Sequence, residues 1–147
     1  MKNIKIEIPE GYEIDKEKSD FTNIVFKEIP KSITERVKTF SDVCTILGKS
    51  EKDFEPNCNE DESDTAMRKV KAIAKVLNEG WYPDFENHNQ YKYTPWFKKE
   101  RGRQVFDSVY SWSAGTDVPA PSLFKSHELA EYAGTQFIDI YTKAFAL

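Results

Sequence analysis

The stretch WYPDFENHNQYKYTPWFKKERGRQVFDSVYSW, residues 81–112, decides how the rest of the chain is read. It contains Trp81, Trp96 and Trp112, all three tryptophans of the chain, with Tyr82, Phe85, Tyr91, Tyr93, Phe97, Phe106 and Tyr110 among them. Residues 90–98 and 104–112 are rich in aromatic and β-branched types and meet around Arg101-Gly102, which predicts a hairpin with glycine in its turn. Pro95 has no N–H to give to a ladder, so it belongs at an edge or a bulge and places the first strand at the sheet edge. In such a strand Tyr91 and Tyr93 share one face and Lys92 points to the other.

The flanks read as support for this block. Met67, Val70, Ile73, Ala74 and Leu77 recur at three and four residues, predicting an amphipathic helix over 64–79 that Gly80 ends. A second helix starts at the capping residue Ser126, with Leu129, Ala133, Phe137, Ile140, Tyr141 and Ala144 as its apolar stripe. Gly134 inside that helix costs about 1 kcal/mol relative to alanine and is taken as a contact point with the sheet. Between hairpin and helix, 113–121 reads as a Gly/Pro/Ser-rich loop and 123–125 as a short third strand.

Toward the N-terminus, Ile4, Ile6 and Ile8 alternate with charged residues as a half-buried strand does, and 23–29 is a second strand candidate. Tyr12 and Ile14 fit either an extension of the first strand or a cover over the pair. Ser32 to Glu35 has the spacing of a capping box before a short turn, and Ser41-Asp42 opens a further helical segment with Val43, Ile46 and Leu47 on one face, stopped by Gly48. The acidic run 51–64, seven acids against Lys52 alone, reads as a loop. The expected architecture is α+β: one antiparallel sheet of about three to five strands with two main amphipathic helices packed on one face. At 147 residues the chain is read as one domain, with an N-terminal strand pair over 1–30 and the helix, hairpin, short strand and C-terminal helix over 64–147.

A formal charge of −4 argues against an indiscriminate nucleic-acid binder, because phosphate affinity comes from neutralising lysines and arginines. Two cysteines, Cys44 and Cys58, make no disulfide framework, and the start of the chain has no continuous apolar run of the signal-peptide kind; a cytoplasmic setting is the expectation. No segment approaches the roughly 20 apolar residues of a membrane helix. Cys44, Cys58, His88 and His127 lack the spacing of a zinc site, so a buried helix cysteine and a loop cysteine are the ordinary reading, and no metal or cofactor is expected. Ser126-His127-Glu128 are neighbours at a helix start whose side chains diverge, unlike a triad. Asp84 with Glu86, or Glu128 with Glu131, are carboxylate pairs of the sort that chance supplies among 25 acids. An acid/base enzyme therefore ranks below a binding role.

The constellation that carries a sharper expectation is the hairpin. Tyr91, Tyr93 and Trp96 lie among Lys92, Lys98, Lys99, Arg101 and Arg103. Aromatic faces beside cations suit single-stranded nucleic acid, where stacking contributes about 1–3 kcal/mol per base. The competing reading, which the acidic remainder favours, makes the aromatics a core with an ordinary solvated turn. Aromatic content beyond the needs of a small core points first to a protein partner or self-association, since tyrosine and tryptophan concentrate at interfaces.

Several pieces, Ile6-Glu7-Ile8-Pro9-Glu10-Gly11-Tyr12, Lys38-Thr39-Phe40-Ser41-Asp42, Leu77-Asn78-Glu79-Gly80-Trp81, Tyr91-Lys92-Tyr93 with Trp96-Phe97, and Phe124-Lys125-Ser126 before Glu128-Leu129-Ala130-Glu131-Tyr132-Ala133, resemble a set of small uncharacterised proteins of Bacteroidetes and their phages or prophages. The resemblance covers most of the chain and implies a phage or mobile-element origin, with no activity or cofactor attached. Where that set continues with a Gly- and Tyr-rich turn, this chain has Asp117-Val118-Pro119-Ala120-Pro121.

Overall fold

A computed structural model describes residues 5–29, 31–113, 115 and 122–145, in two compact units, Met1–Ser32 and Ile33–Leu147. The protein is α+β with two antiparallel two-stranded sheets, one in each unit.

The first unit pairs β1 (Tyr12–Ile14) with β2 (Phe26–Glu28), Tyr12 opposite Glu28 and Ile14 opposite Phe26. This corrects the expected strand at Ile4–Ile8, whose described part, residues 5–9, carries no regular structure, and shortens the strand expected over 23–29. The reason is local closure. Gly11, at φ 82°, turns the chain so that its carbonyl accepts from Ile29 N–H. Asp15 accepts from the Glu17 and Lys18 amides, while Ser19 both donates to and accepts from Val25. A short loop closed by polar bonds pays less entropy than a longer pairing. Among the described residues of this unit the buried side chain is Asp15, and no apolar residue is buried.

The second unit opens with α1 (Ile33–Arg36), a single turn, and α2 (Phe40–Leu47). The cap of α2 is Thr39 rather than Ser41, in a reciprocal box with Asp42. Amides of Lys38 and Thr39 donating to Asp42 hold its carboxyl below the usual range. Gly48 stops the helix in the left-handed region, as its position predicts. Val43 and Cys44 are buried, but Ile46, expected on the same face, is exposed. The acidic run is more structured than a loop: Glu51–Phe54 forms a 3-10 turn whose Phe54 is buried against Phe40 at 5.0 Å between ring centroids. Arg68 fixes this segment by donating to Glu60 and to the carbonyls of Asp53 and Glu55.

Helix α3 (Glu62–Leu77) is capped by Asp61 and buries Val70, Ile73, Ala74 and Leu77 as the periodicity predicts. Beyond it β3 (Lys92–Glu100) and β4 (Arg103–Trp112) form the expected hairpin, turning on Arg101 and Gly102, both at positive φ. The run expected as one C-terminal helix is two, α4 (His127–Gln136) and α5 (Ile138–Ala144), separated at Phe137. That break lets α4 lie on the hairpin while α5 runs along α3. The single sheet backed by two helices on one face is thereby corrected: α4 is the main helix behind the ribbon, and α3 packs chiefly on α5 and α2. The third strand expected over 123–125 reduces to a bridge, Phe124 exchanging both backbone bonds with Tyr93. Buried Asn78 holds it there, donating to the Leu123 carbonyl at 2.8 Å and accepting from Lys125 N–H at 3.0 Å. The loop expected over 113–121 lies outside the described residues except at Ser113 and Gly115. Among the described residues no helix is long and apolar enough to cross a membrane.

Candidate functional site

The two faces of the hairpin have different jobs. On the inner face Tyr93, Phe97 and Val109 pack against the core, and Pro95 and Phe106 meet α4 at Gly134. Phe97 also lies 5.1 Å from the ring of buried Tyr141. The outer face carries Lys92, Thr94, Trp96 and Lys98 from β3, and Ser108, Tyr110 and Trp112 from β4. Its first half is covered. Lys92 is fully buried, its Nζ donating to the Gln90 carbonyl at 3.0 Å and lying 5.4 Å from the centre of the Phe85 ring. Thr94 meets the Ser122 hydroxyl at 3.3 Å. Residues 81–90 are shaped for this by Asp84, which accepts from the Glu86 and Asn87 amides, and by Gln90, which accepts from Asp84 N–H.

The second half is open. Trp96 and Tyr110 are 54 % and 57 % exposed, with ring centroids 5.8 Å apart, and Tyr110 lies 5.7 Å from Trp112. This diagonal ladder depends on a bulge. Trp96 faces Ser108 but Phe97 faces Phe106, so Asp107 is the extra residue, and its carboxylate pairs with Lys98 at 3.1 Å. Glu100 also pairs with Lys98, at 3.0 Å, and the two acids hold the ammonium above its ordinary pKa, Glu100 first. Lys99, Arg101 and Arg103 are exposed at the tip and make no ion pair among the described residues.

Comparison with known proteins finds no family model, no curated protein and no solved structure that matches the chain.

Of the residues singled out in the sequence, the structure therefore separates Tyr93, on the inner face, from Trp96, on the outer one. Tyr91 lies just before β3, half exposed, 6.4 Å from Tyr93. Lys92 is a buried structural cation and Lys98 a neutralised one, leaving Lys99, Arg101 and Arg103 to act on solvent. Tyr110 and Trp112 were not singled out as partners of Trp96. The signal for them was the hairpin register itself, counted back from Arg101-Gly102 and advanced by one at the bulge. Among the described residues no three His, Cys, Asp or Glu side chains group as metal ligands; Cys44 is buried, which raises its thiol pKa, and Cys58 is exposed.

Proposed function

We propose that this is a non-enzymatic binding or accessory protein, of the phage or mobile-element origin that the resemblance implies, and that the outer face of its hairpin docks another protein. The supporting observation is the Trp96–Tyr110 pair, in tilted ring contact and more than half exposed on a strand pair whose other face packs on α4. Large aromatic side chains held rigid in solvent cost little further entropy on binding and are over-represented where interfaces concentrate their energy. Single-stranded nucleic acid is the second reading, favoured by Lys99, Arg101 and Arg103 at the tip. It has less support: Tyr93 lies on the inner face of the hairpin and Trp96 on the outer one, and two of the five cations are engaged within the fold.

Two measurements test the reading. Affinity capture from host lysate is compared between the native chain and Trp96→Ala/Tyr110→Ala; a protein retained by the first and lost with the second is the expected result. Retention that ignores both substitutions overturns the docking face. Titration with an oligonucleotide at low salt, read by tryptophan fluorescence, is expected to give no quenching; salt-sensitive quenching abolished by Arg101→Ala/Arg103→Ala would establish the nucleic-acid reading instead.

A further inference from the structure

Strand β3 has β4 on one side and, among the described residues, only Phe124 on the other. Tyr93 gives both its N–H and its C=O to Phe124, so the odd-numbered residues of β3 point their backbone groups away from β4. Phe97 and Lys99 continue that alternation. Their N–H and C=O groups, with the C=O of Pro95, form an edge about five residues long that has no strand partner among the described residues. Alongside runs an open groove of about 320 Å³, lined by Trp96, Phe97, Lys99 and Phe145 among others. Its rim is basic. Over residues 91–112 five cations face two acids, a net +3, and both acids are spent on Lys98.

The same chain contains a strand-like segment that has no strand partner among the described residues. Residues 5–9 alternate Lys5, Ile6, Glu7, Ile8 and Pro9, lie outside both sheets, and leave Ile6 and Ile8 43 % and 49 % exposed. The unit to which they belong fully buries no apolar residue among those described; Ile14, Val25 and Phe26 are half-buried, and Ile6 and Ile8 stay exposed. Residues 5–29 carry seven acids against four lysines, a net −3.

We propose that residues 5–9 of one copy add as a strand to the free β3 edge of a second copy. The inference rests on the reading of the hairpin as a protein-docking element and names its partner. Backbone bonds to Phe97 and Lys99 supply the pairing, and alternation sends Ile6 and Ile8 to the apolar side of the groove. Glu7, on the opposite side from Ile6 and Ile8, and Glu10, in the turn just past the segment, bring negative charge toward the cations at the tip. Lysines and a proline on an edge strand normally repel a passing strand. Residues 5–9 are themselves neutral, Lys5 against Glu7, but the unit that carries them is acidic, net −3 over 5–29, and this reverses the charge part of that defence; Pro95 and Pro9 limit the pairing to a few residues at each end. Every chain then carries one donor and one acceptor, so the contact swaps reciprocally in a dimer, closes a ring or, where the rotation does not close, runs on as an open filament.

Light scattering on the eluting full-length protein over a wide concentration range is the test. The native chain is expected to form a dimer or small ring whose dissociation constant rises at high salt. Ile6→Asp/Ile8→Asp and, separately, Arg101→Glu/Arg103→Glu are each expected to weaken assembly about ten-fold or more. Combining the second pair with Glu7→Lys/Glu10→Lys is expected to restore it. All of these side chains are exposed, and far-UV circular dichroism verifies that the fold is retained. A native chain that stays monomeric at every concentration overturns the proposal, as does an assembly indifferent to both sets of substitutions. If a monomer still captures a lysate protein through Trp96, the docking face stands and only the second copy is refuted.

Discussion

Gly134 on α4 lies so close to Pro95 on β3 that a Cβ built on the glycine would stand 2.7 Å from the proline Cβ, and equally near Phe106 Cδ2. Non-bonded carbons essentially never approach that closely, so something would have to shift. The missing side chain at Gly134 is what allows the helix to seat on the bulged part of the hairpin, directly behind Trp96.

Gly134→Ala is therefore expected to destabilise the protein, although alanine is favoured in a helix by about 1 kcal/mol. Overpacking against a rigid proline ring typically costs about 1–3 kcal/mol, so a net loss of up to about 2 kcal/mol is expected. The midpoint of urea unfolding measures it. A variant as stable as the native chain would show that α4 is free to move away from the sheet.

Tyr141 presents the opposite case. Its ring is fully buried between Phe97 and Phe145, and its hydroxyl has no hydrogen-bond partner among the described residues. Burial pushes the phenol pKa far upward, so it stays protonated throughout the ordinary pH range. An unsatisfied buried polar group costs about 1–3 kcal/mol, so Tyr141→Phe is expected to leave stability unchanged or raise it by about 1 kcal/mol. A loss of stability in thermal or urea unfolding would mean that the hydroxyl has a partner.

Glu60 gives the fold an acid limit. Arg68, hydrogen-bonded to both carboxylate oxygens, and the Asn57 amide lower its pKa from 4.5 to about 2. A folded-state pKa below the unfolded one means stabilisation that is complete above about pH 4.5 and is lost as pH falls toward 2. Unfolding midpoints recorded across that window should fall for the native chain and fall less steeply for Glu60→Gln. Identical pH profiles for the two proteins would assign the acid sensitivity to other carboxylates.

How much could be read in advance varies from residue to residue. The hairpin, its turn at Arg101-Gly102, the awkward place of Pro95 and the contact at Gly134 were all legible, because each depends on backbone chemistry that a residue type carries with it. Trp96 could be singled out, but its companions Tyr110 and Trp112 could not, since one extra residue at Asp107 sets which rings align. Lys92 reads as a solvated cation until residues 81–90 fold over it. The strand signal of Ile6 and Ile8 is plain in the sequence, yet the first unit closes on Tyr12–Ile14, where short polar loops hold the chain at lower entropy.

By itself the sequence determined the central local elements: the hairpin and its turn, the α3 helix, the helix start at Ser126, the stop at Gly48 and an α+β composition, all of which follow from periodicity and from backbone preferences acting over a few residues. Only the tertiary structure decided which face of the ribbon is buried, that the C-terminal helical run bends at Phe137, and that Lys92 is covered while Trp96 and Tyr110 stay in water. Those outcomes depend on contacts between segments far apart in the chain, where burial of one side chain is settled by the volume of another and no local pattern records the result.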